Sequence, residues 1–119
     1  MIYTTYFAKL KKLPENIKPI SITVQTPTWY SGDTYKKLAP QWWFLSEWKK
    51  TQDNDYYIKC FNEHILSKLN AAAVYNELMQ MSNGADVALV CYESPEKFCH
   101  RHLIAEWLCS NGYKVKEFS

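Results

Sequence analysis

A run of six residues constrains the fold of this chain more than any other feature. Residues 86–91 (DVALVC) are almost entirely apolar and follow an Asn83-Gly84 turn signal. A continuous apolar run of this length is typical of a strand that is buried on both faces of a parallel sheet. The sequence therefore predicts an α/β protein in which this strand lies inside the sheet.

Other segments carry strand or helix patterns on either side of this run. The further predicted strands cover residues 2–6, 20–24 and 113–118, the last of them at a sheet edge. Helices are predicted over residues 8–13, 40–50, 56–69, 70–81 and 95–110. The last helix is expected to begin at Pro95 with Ser94 as its cap. Strands that alternate with helices predict a single compact domain, residues 1–119, with a mainly parallel sheet of about four strands flanked by helices.

Composition indicates a folded chain but does not identify its partner. Of the 119 residues, 47% are hydrophobic and 22% are charged, which is outside the range of disordered chains. A net charge of +2 does not single out nucleic acid, so an anionic small molecule and a nucleic acid both stay open as partners. No apolar run approaches the ~20 residues of a membrane span, so no membrane contact is expected. The oligomeric state is left open.

Cysteine usage predicts a reducing location. The four cysteines at positions 60, 91, 99 and 109 include no C-x-x-C pair, and no signal-peptide pattern precedes them. We therefore expect free thiols and a cytoplasmic protein. A zinc site from Cys91, Cys99, His100 and His102 is disfavoured, because the spacing is unusual and adjacent helical residues diverge. Neither a metal nor a cofactor is expected.

The candidate functional site is the junction between the buried strand and the helix predicted after it. Cys91 ends the strand, Glu93 lies in the turn, and Cys99, His100 and Arg101 fall in the first two turns of the helix. In parallel sheets, ligands bind beyond the carboxyl ends of the strands. These side chains include candidate nucleophiles, proton carriers and an anion-binding group.

Arg101 is the most constrained member of this set. On a helical wheel it falls on the apolar face of the predicted helix. Because an unpaired buried guanidinium is strongly disfavoured, Arg101 should pair with Glu93 or bind an anion. In a purely structural interpretation, this ion pair braces the turn, and Cys91 and Cys99 are small core residues. An Arg101 that is both ion-paired and sealed from solvent would contradict the hypothesis of a ligand site.

The same residues carry a family resemblance. Cys91-Tyr92-Glu93 at the end of a strand, a short loop, and Cys99-His100-Arg101 at the opening of a helix resemble the signature of the domain of unknown function 488 family. The resemblance covers about residues 86–118. An early strand in that family commonly ends in Asp-x-Arg followed by proline, and residues 21–27 keep only the proline. The resemblance implies a compact α/β domain and no assigned activity.

The leading hypothesis is a pocket for an anionic ligand, such as a nucleotide or a nucleic-acid element, and whether the protein acts on that ligand is left open. Arg101 and Cys99 would bind the ligand, Cys91 would be the nucleophile, and Glu93 and His100 would carry protons. The facing wall of the pocket would consist of Thr26, Trp29 and Tyr30. The alternative is a non-catalytic module for nucleic-acid or protein interaction, in which the cluster is structural.

Overall fold

A parallel sheet organises residues 1–118, the part of the chain that the computed structural model describes. Within this part, the strands are β1 (Ile2–Tyr6), β2 (Ile17–Ser21), β3 (Asp33–Thr34), β4 (Asp86–Cys91) and β5 (Val115–Glu117). They lie in the order β3-β2-β4-β1-β5, and every neighbouring pair is parallel. The predicted α/β class and parallel sheet are confirmed. The expected domain boundary at residue 119 lies outside the described residues.

Strand β4 occupies the middle of the sheet, as its composition predicts. It pairs with β1 on one side and β2 on the other, and its residues from Val87 to Cys91 are all buried. Burial on both faces explains why this strand has no polar alternation. Because β4 ends at Cys91, that residue lies at the carboxyl edge of the sheet, where α/β proteins bind ligands.

Four α-helices connect and cover the strands within residues 1–118: α1 (Trp42–Thr51), α2 (Asn54–His64), α3 (Ala71–Met81) and α4 (His100–Ser110). The side chain of Asp53 accepts a hydrogen bond from the Tyr56 amide at the start of α2. Asn70 caps α3 in the same way. Helix α2 ends five residues earlier than predicted, and a short 3-10 turn, Leu66–Lys68, follows it. Another 3-10 turn, Phe7–Lys12, replaces the predicted helix 8–13.

The second strand is displaced from its predicted position. It covers Ile17–Ser21 rather than residues 20–24, although the alternating pattern continues to Val24. The hydroxyl groups of Ser21 and Thr23 lie 2.8 Å apart, and Thr23 Oγ1 also donates to the carbonyl of Gln25 at 2.5 Å. These local bonds compete with ladder pairing, so the chain turns away from the sheet after Ser21. Strand β3 was not predicted, since two residues carry no periodicity.

The start of α4 also differs from the prediction. The helix begins at His100 and not at Pro95, with Cys99 as its first flanking residue in an extended conformation. Ser94 does not cap it: its hydroxyl donates to the carboxylate of Glu96, and its carbonyl accepts from the amide of Lys97. The segment 92–98 is therefore a loop that returns the chain to the end of β4.

Helices α1 to α4 pack through a common apolar core. Phe44, Phe61, Leu78, Ile104 and Leu108 are fully buried in it. None of the helices in the described region is long and apolar enough to cross a membrane.

Candidate functional site

Cys91 and Cys99 meet at the carboxyl edge of the sheet. Their Sγ atoms are at bonding distance, 2.12 Å, while their Cα atoms are 7.4 Å apart. Because the loop 92–98 folds back on itself, the first residue before α4 reaches the last residue of β4. The prediction of free thiols is thus wrong for this pair, and it holds for Cys60 and Cys109.

His100 is oriented by a backbone carbonyl. Its Nε2 lies 2.6 Å from the carbonyl oxygen of Ile22, the residue that follows β2. A carbonyl oxygen can only accept, so Nε2 carries the proton, and Nδ1 has a free lone pair when the ring is neutral. Nδ1 lies 3.8 Å from Cys99 Sγ. Burial lowers the pKa of His100 to about 4, and the nearby charges of Arg101 and His102 add to this effect. The ring is therefore neutral at pH 7.

Arg101 is fully buried, and each of its three guanidinium nitrogens donates a hydrogen bond. Its Nε and Nη2 atoms donate to the two carboxylate oxygens of Glu117 at 3.1 and 3.0 Å. Its Nη1 atom donates to Cys91 Sγ at 2.9 Å and to the carbonyl oxygen of Glu93 at 2.5 Å. The guanidinium also lies over the ring of Tyr6, 5.7 Å from its centroid. Arg101 thus joins β1, β4, β5 and the loop after β4.

Two predictions about Arg101 are wrong. Its counter-charge is Glu117 and not Glu93, whose contribution is a backbone carbonyl. Strand β5 lies beside β1, and this brings Glu117 within reach of Thr4 as well, whose hydroxyl donates to it at 2.8 Å. Arg101 is both ion-paired and sealed from solvent, so the ligand-site hypothesis fails in the form that the sequence suggested, and a ligand would have to be bound by other groups.

A cavity nevertheless opens beside Cys91, the residue whose Sγ atom Arg101 contacts. It has a volume of about 620 Å³ and lies between the carboxyl edge of the sheet and helices α1 and α2. Four of the eight predicted site residues line it: Cys91, Glu93, Cys99 and His100. Aromatic rings supply much of the wall, and these are Trp42, Trp48, Tyr57, Tyr92 and Phe98. The other lining residues are Thr23, Val24, Gln25, Pro40, Leu45 and Lys49.

The predicted facing wall lies elsewhere. Thr26, Trp29 and Tyr30 do not line the cavity; Trp29 and Tyr30 pack against Phe7 instead. The hydroxyl of Tyr30 donates to the carbonyl of Asp33 at 2.6 Å, which fixes it beside β3. Strand β2 ends three residues earlier than predicted. The segment that leaves it and forms the cavity wall is therefore residues 23–25 and not residues 26–30.

The structure brings together three potential metal ligands that their sequence spacing had disfavoured as a site. One donor atom from each of Cys91, Cys99 and His100 lies within 4.8 Å of the others, and all three residues are buried. The objection that adjacent helical residues diverge does not apply, since Cys99 is extended and precedes the helix. His102 is not part of this group.

Comparison with protein-family models assigns this chain to a family. A family model described as the active DUF488-N3 subclade, DUF488-N3a, matches residues 9–112. The chain belongs to this family, whose general name is domain of unknown function 488. The match confirms the resemblance and reaches from residue 112 back to residue 9, far ahead of the segment that begins at residue 86. Searches of curated proteins and of solved structures gave no significant match.

Proposed function

We propose that the cavity binds a nucleotide-like ligand and brings it to the reactive groups of Cys91, Cys99, Glu93 and His100. One observation carries the proposal: a ligand-sized cavity has aromatic walls and, at one end, the carboxyl group of Glu93, the imidazole of His100 and the Cys91–Cys99 pair. The two cysteines are joined in the structure and become nucleophiles only when they are reduced. The cavity's volume of about 620 Å³ falls within the roughly 300–1,000 Å³ of small-molecule sites. Its place at the carboxyl end of β4 is where α/β folds bind ligands.

The aromatic side chains favour a planar group in the ligand. Trp48 and Phe98 lie with ring centroids 5.5 Å apart, and Tyr57 packs edge-on against both. Trp42 lines the same cavity and is 59% exposed, so its ring is accessible to a ligand. Bases stack on such rings irrespective of their sequence.

Lys49 takes over the role that the sequence had suggested for Arg101. Its side chain lines the cavity, and its Nζ lies 5.3 Å from the ring centroid of Trp42. An ammonium group beside an exposed indole suits a ligand that combines a base with a phosphate. The proposal therefore keeps an anionic ligand, with Lys49 in place of Arg101 as its cationic partner.

The reactive groups lie together at the carboxyl end of β4. The free lone pair of His100 Nδ1 can accept a proton, and the carboxyl group of Glu93 can exchange one. The description of the matched subclade as active supports a reaction here, beyond binding alone.

Binding can be measured by tryptophan fluorescence as the reduced protein is titrated with the four ribonucleoside monophosphates. We expect at least one of them to bind, and Trp42→Ala to weaken that binding by about tenfold or more, the loss of one stacking contact. Trp43→Ala is the matched control, because Trp43 is half-exposed on the same helix but does not line the cavity. Equal affinities for the two variants would contradict the proposal.

A short single-stranded oligonucleotide tests the alternative in the same assay. Large exposed rings at Trp29, Trp42, Trp43 and Tyr92 favour that alternative, an interaction surface for a nucleic acid. If the oligonucleotide binds when the mononucleotides do not, and both tryptophan variants weaken it, the surface and not the cavity is the binding site.

A further inference from the structure

We propose that the reduced protein binds a thiophilic divalent metal ion through Cys91 Sγ, Cys99 Sγ and His100 Nδ1, and that Zn²⁺ is the ion these ligands fit best. Two thiolates, one imidazole and a fourth position left open form a known arrangement for zinc that takes part in chemistry. This metal site goes beyond the proposed nucleotide site and depends only on the three side chains. While the ion is bound, His100 Nδ1 and the two thiolates are its ligands and do not act as proton acceptor or nucleophiles.

The spacing of the donor atoms suits one metal ion. Bond lengths of about 2.3 Å to sulfur and 2.0–2.1 Å to nitrogen, at tetrahedral angles, put neighbouring ligand atoms roughly 3.5–4 Å apart. Cys99 Sγ and His100 Nδ1 are already separated by 3.8 Å. The Cα atoms of the two cysteines are 7.4 Å apart, beyond the roughly 4.4–6.8 Å that disulfides usually span. Reduced sulfurs can therefore separate around an ion without the backbone having to open.

Contacts around the three residues match those of a metal site. A histidine ligand commonly donates its other ring N–H to a carbonyl or carboxylate, as His100 Nε2 does to Ile22. Arg101 Nη1 donates to Cys91 Sγ at 2.9 Å, which favours the thiolate form that a metal requires. Glu117 fixes the guanidinium in that position.

Metal loading requires reduction of the cysteine pair first. A small-molecule thiol reduces the disulfide with two electrons and two protons: Cys91–S–S–Cys99 and two R–SH give two cysteine thiols and R–S–S–R. The two thiols then release two protons as they bind Zn²⁺. The oxidised pair has no thiolate to offer, so oxidation and metal binding exclude each other.

The ion would face the cavity. Cys91, Cys99 and His100 all line it, so a fourth ligand from water or from a bound molecule can approach from that side. A zinc-bound water loses its proton near neutral pH, which would give the cavity a hydroxide at its reactive end.

Cobalt(II) absorption tests the site directly in the full-length chain without nucleotide. The chain carries Cys60→Ala and Cys109→Ser, so that only the proposed pair of thiols is left, and it is reduced with a phosphine under anaerobic conditions. We expect one cobalt ion per chain, with thiolate charge-transfer bands and tetrahedral d–d bands that Zn²⁺ abolishes. Cys91→Ser, Cys99→Ser and His100→Ala should each weaken cobalt binding by about 100-fold or more. Loss of a group that only supports a metal ligand already costs roughly 10–100-fold in affinity.

His102→Ala is the matched control and should keep the affinity within a few-fold. The proposal is wrong if the bands do not form, or if they persist unchanged in the Cys91→Ser chain.

Alkylation of the unaltered, reduced chain gives an answer that does not depend on the folding of variants. Zn²⁺ should slow the alkylation of Cys91 and Cys99 but not that of the exposed Cys109; equal rates with and without Zn²⁺ would also overturn the proposal. Because no nucleotide is present, either result is independent of the proposed ligand.

Discussion

Replacement of Arg101 by methionine is expected to lower the free energy of unfolding by about 3 kcal/mol, the lower end of the range for breaking a buried ion pair. The side chain is fully buried and donates to Glu117, Cys91 Sγ and the Glu93 carbonyl. Methionine fills much of the space but satisfies none of these acceptors. The lower end applies because Glu117 is 25% exposed, so water can reach its carboxylate in the variant.

Urea denaturation of a double-mutant cycle measures this interaction. Glu117→Gln should also destabilise, and the double variant Arg101→Met/Glu117→Gln should lose at least about 1 kcal/mol less than the sum of the single losses, as expected for groups in direct contact. Arg101→Lys keeps the charge but not the two-pronged contact, and it should fall between wild type and Arg101→Met. A loss below about 1 kcal/mol for Arg101→Met would show that the buried pair does not stabilise the strand ends in this way.

Acidification is expected to destabilise the metal-free protein through His100. Its pKa is about 4 in the folded chain and 6.5 for the ordinary side chain, so the unfolded chain binds more protons between these values. Stability contributed by the neutral ring is therefore complete above pH 6.5 and is lost as pH falls towards 4. The loss amounts to about 3 kcal/mol, from about 1.4 kcal/mol per pKa unit.

The measurement compares wild type with His100→Gln by urea denaturation from pH 4 to pH 7, with a chelator present. Glutamine can donate to the Ile22 carbonyl but does not titrate, so the difference between the two proteins isolates the imidazole. This difference should change by about 3 kcal/mol in favour of the variant as pH falls. A difference that stays constant over this range would show that the fold does not hold His100 neutral.

Local patterns predicted the sheet because the central strand is buried on both faces. The residues of β4 can be recognised from local sequence, since a short, uniformly apolar run after a turn signal is typical of a strand that is covered on both faces. The register of β2 was harder to predict. Its alternating pattern runs on through Thr23, and only the hydroxyl bonds seen in the structure explain why pairing stops at Ser21.

The location of the site followed from the sequence, but the contacts within it did not. Good helix-start signals occur at Ser94, Pro95 and Glu96. The chain nevertheless forms a loop there, and the helix begins at His100. Adjacent helical residues diverge, but Cys99 and His100 would both be helical only if the helix began at Pro95, so this one of the two objections to a Cys91, Cys99 and His100 cluster does not hold.

The partner of Arg101 was missed for a different reason. Glu93 and Glu117 are chemically equivalent candidates, and sequence distance favoured Glu93. Only the strand order, with β5 next to β1, reveals that the carboxylate of Glu117 accepts hydrogen bonds from the guanidinium. Glu117 is an acidic residue in the last predicted strand, but its pairing with Arg101 can be recognised only from the strand order.

Amide chemical-shift mapping of the reduced, ¹⁵N-labelled protein tests the central claim most directly, namely that the cavity beside Cys91, Cys99 and His100 is the functional site. The titrant is the nucleoside monophosphate that binds most tightly in the fluorescence assay. We predict that the largest shifts fall on the cavity-lining amides of Thr23, Gln25, Glu93 and Cys99 and on the indole N–H of Trp48, while the amides of Ala71–Met81 stay in place. Shifts confined to residues around Trp29 and Trp43, with the cavity-lining amides unchanged at saturation, would contradict it.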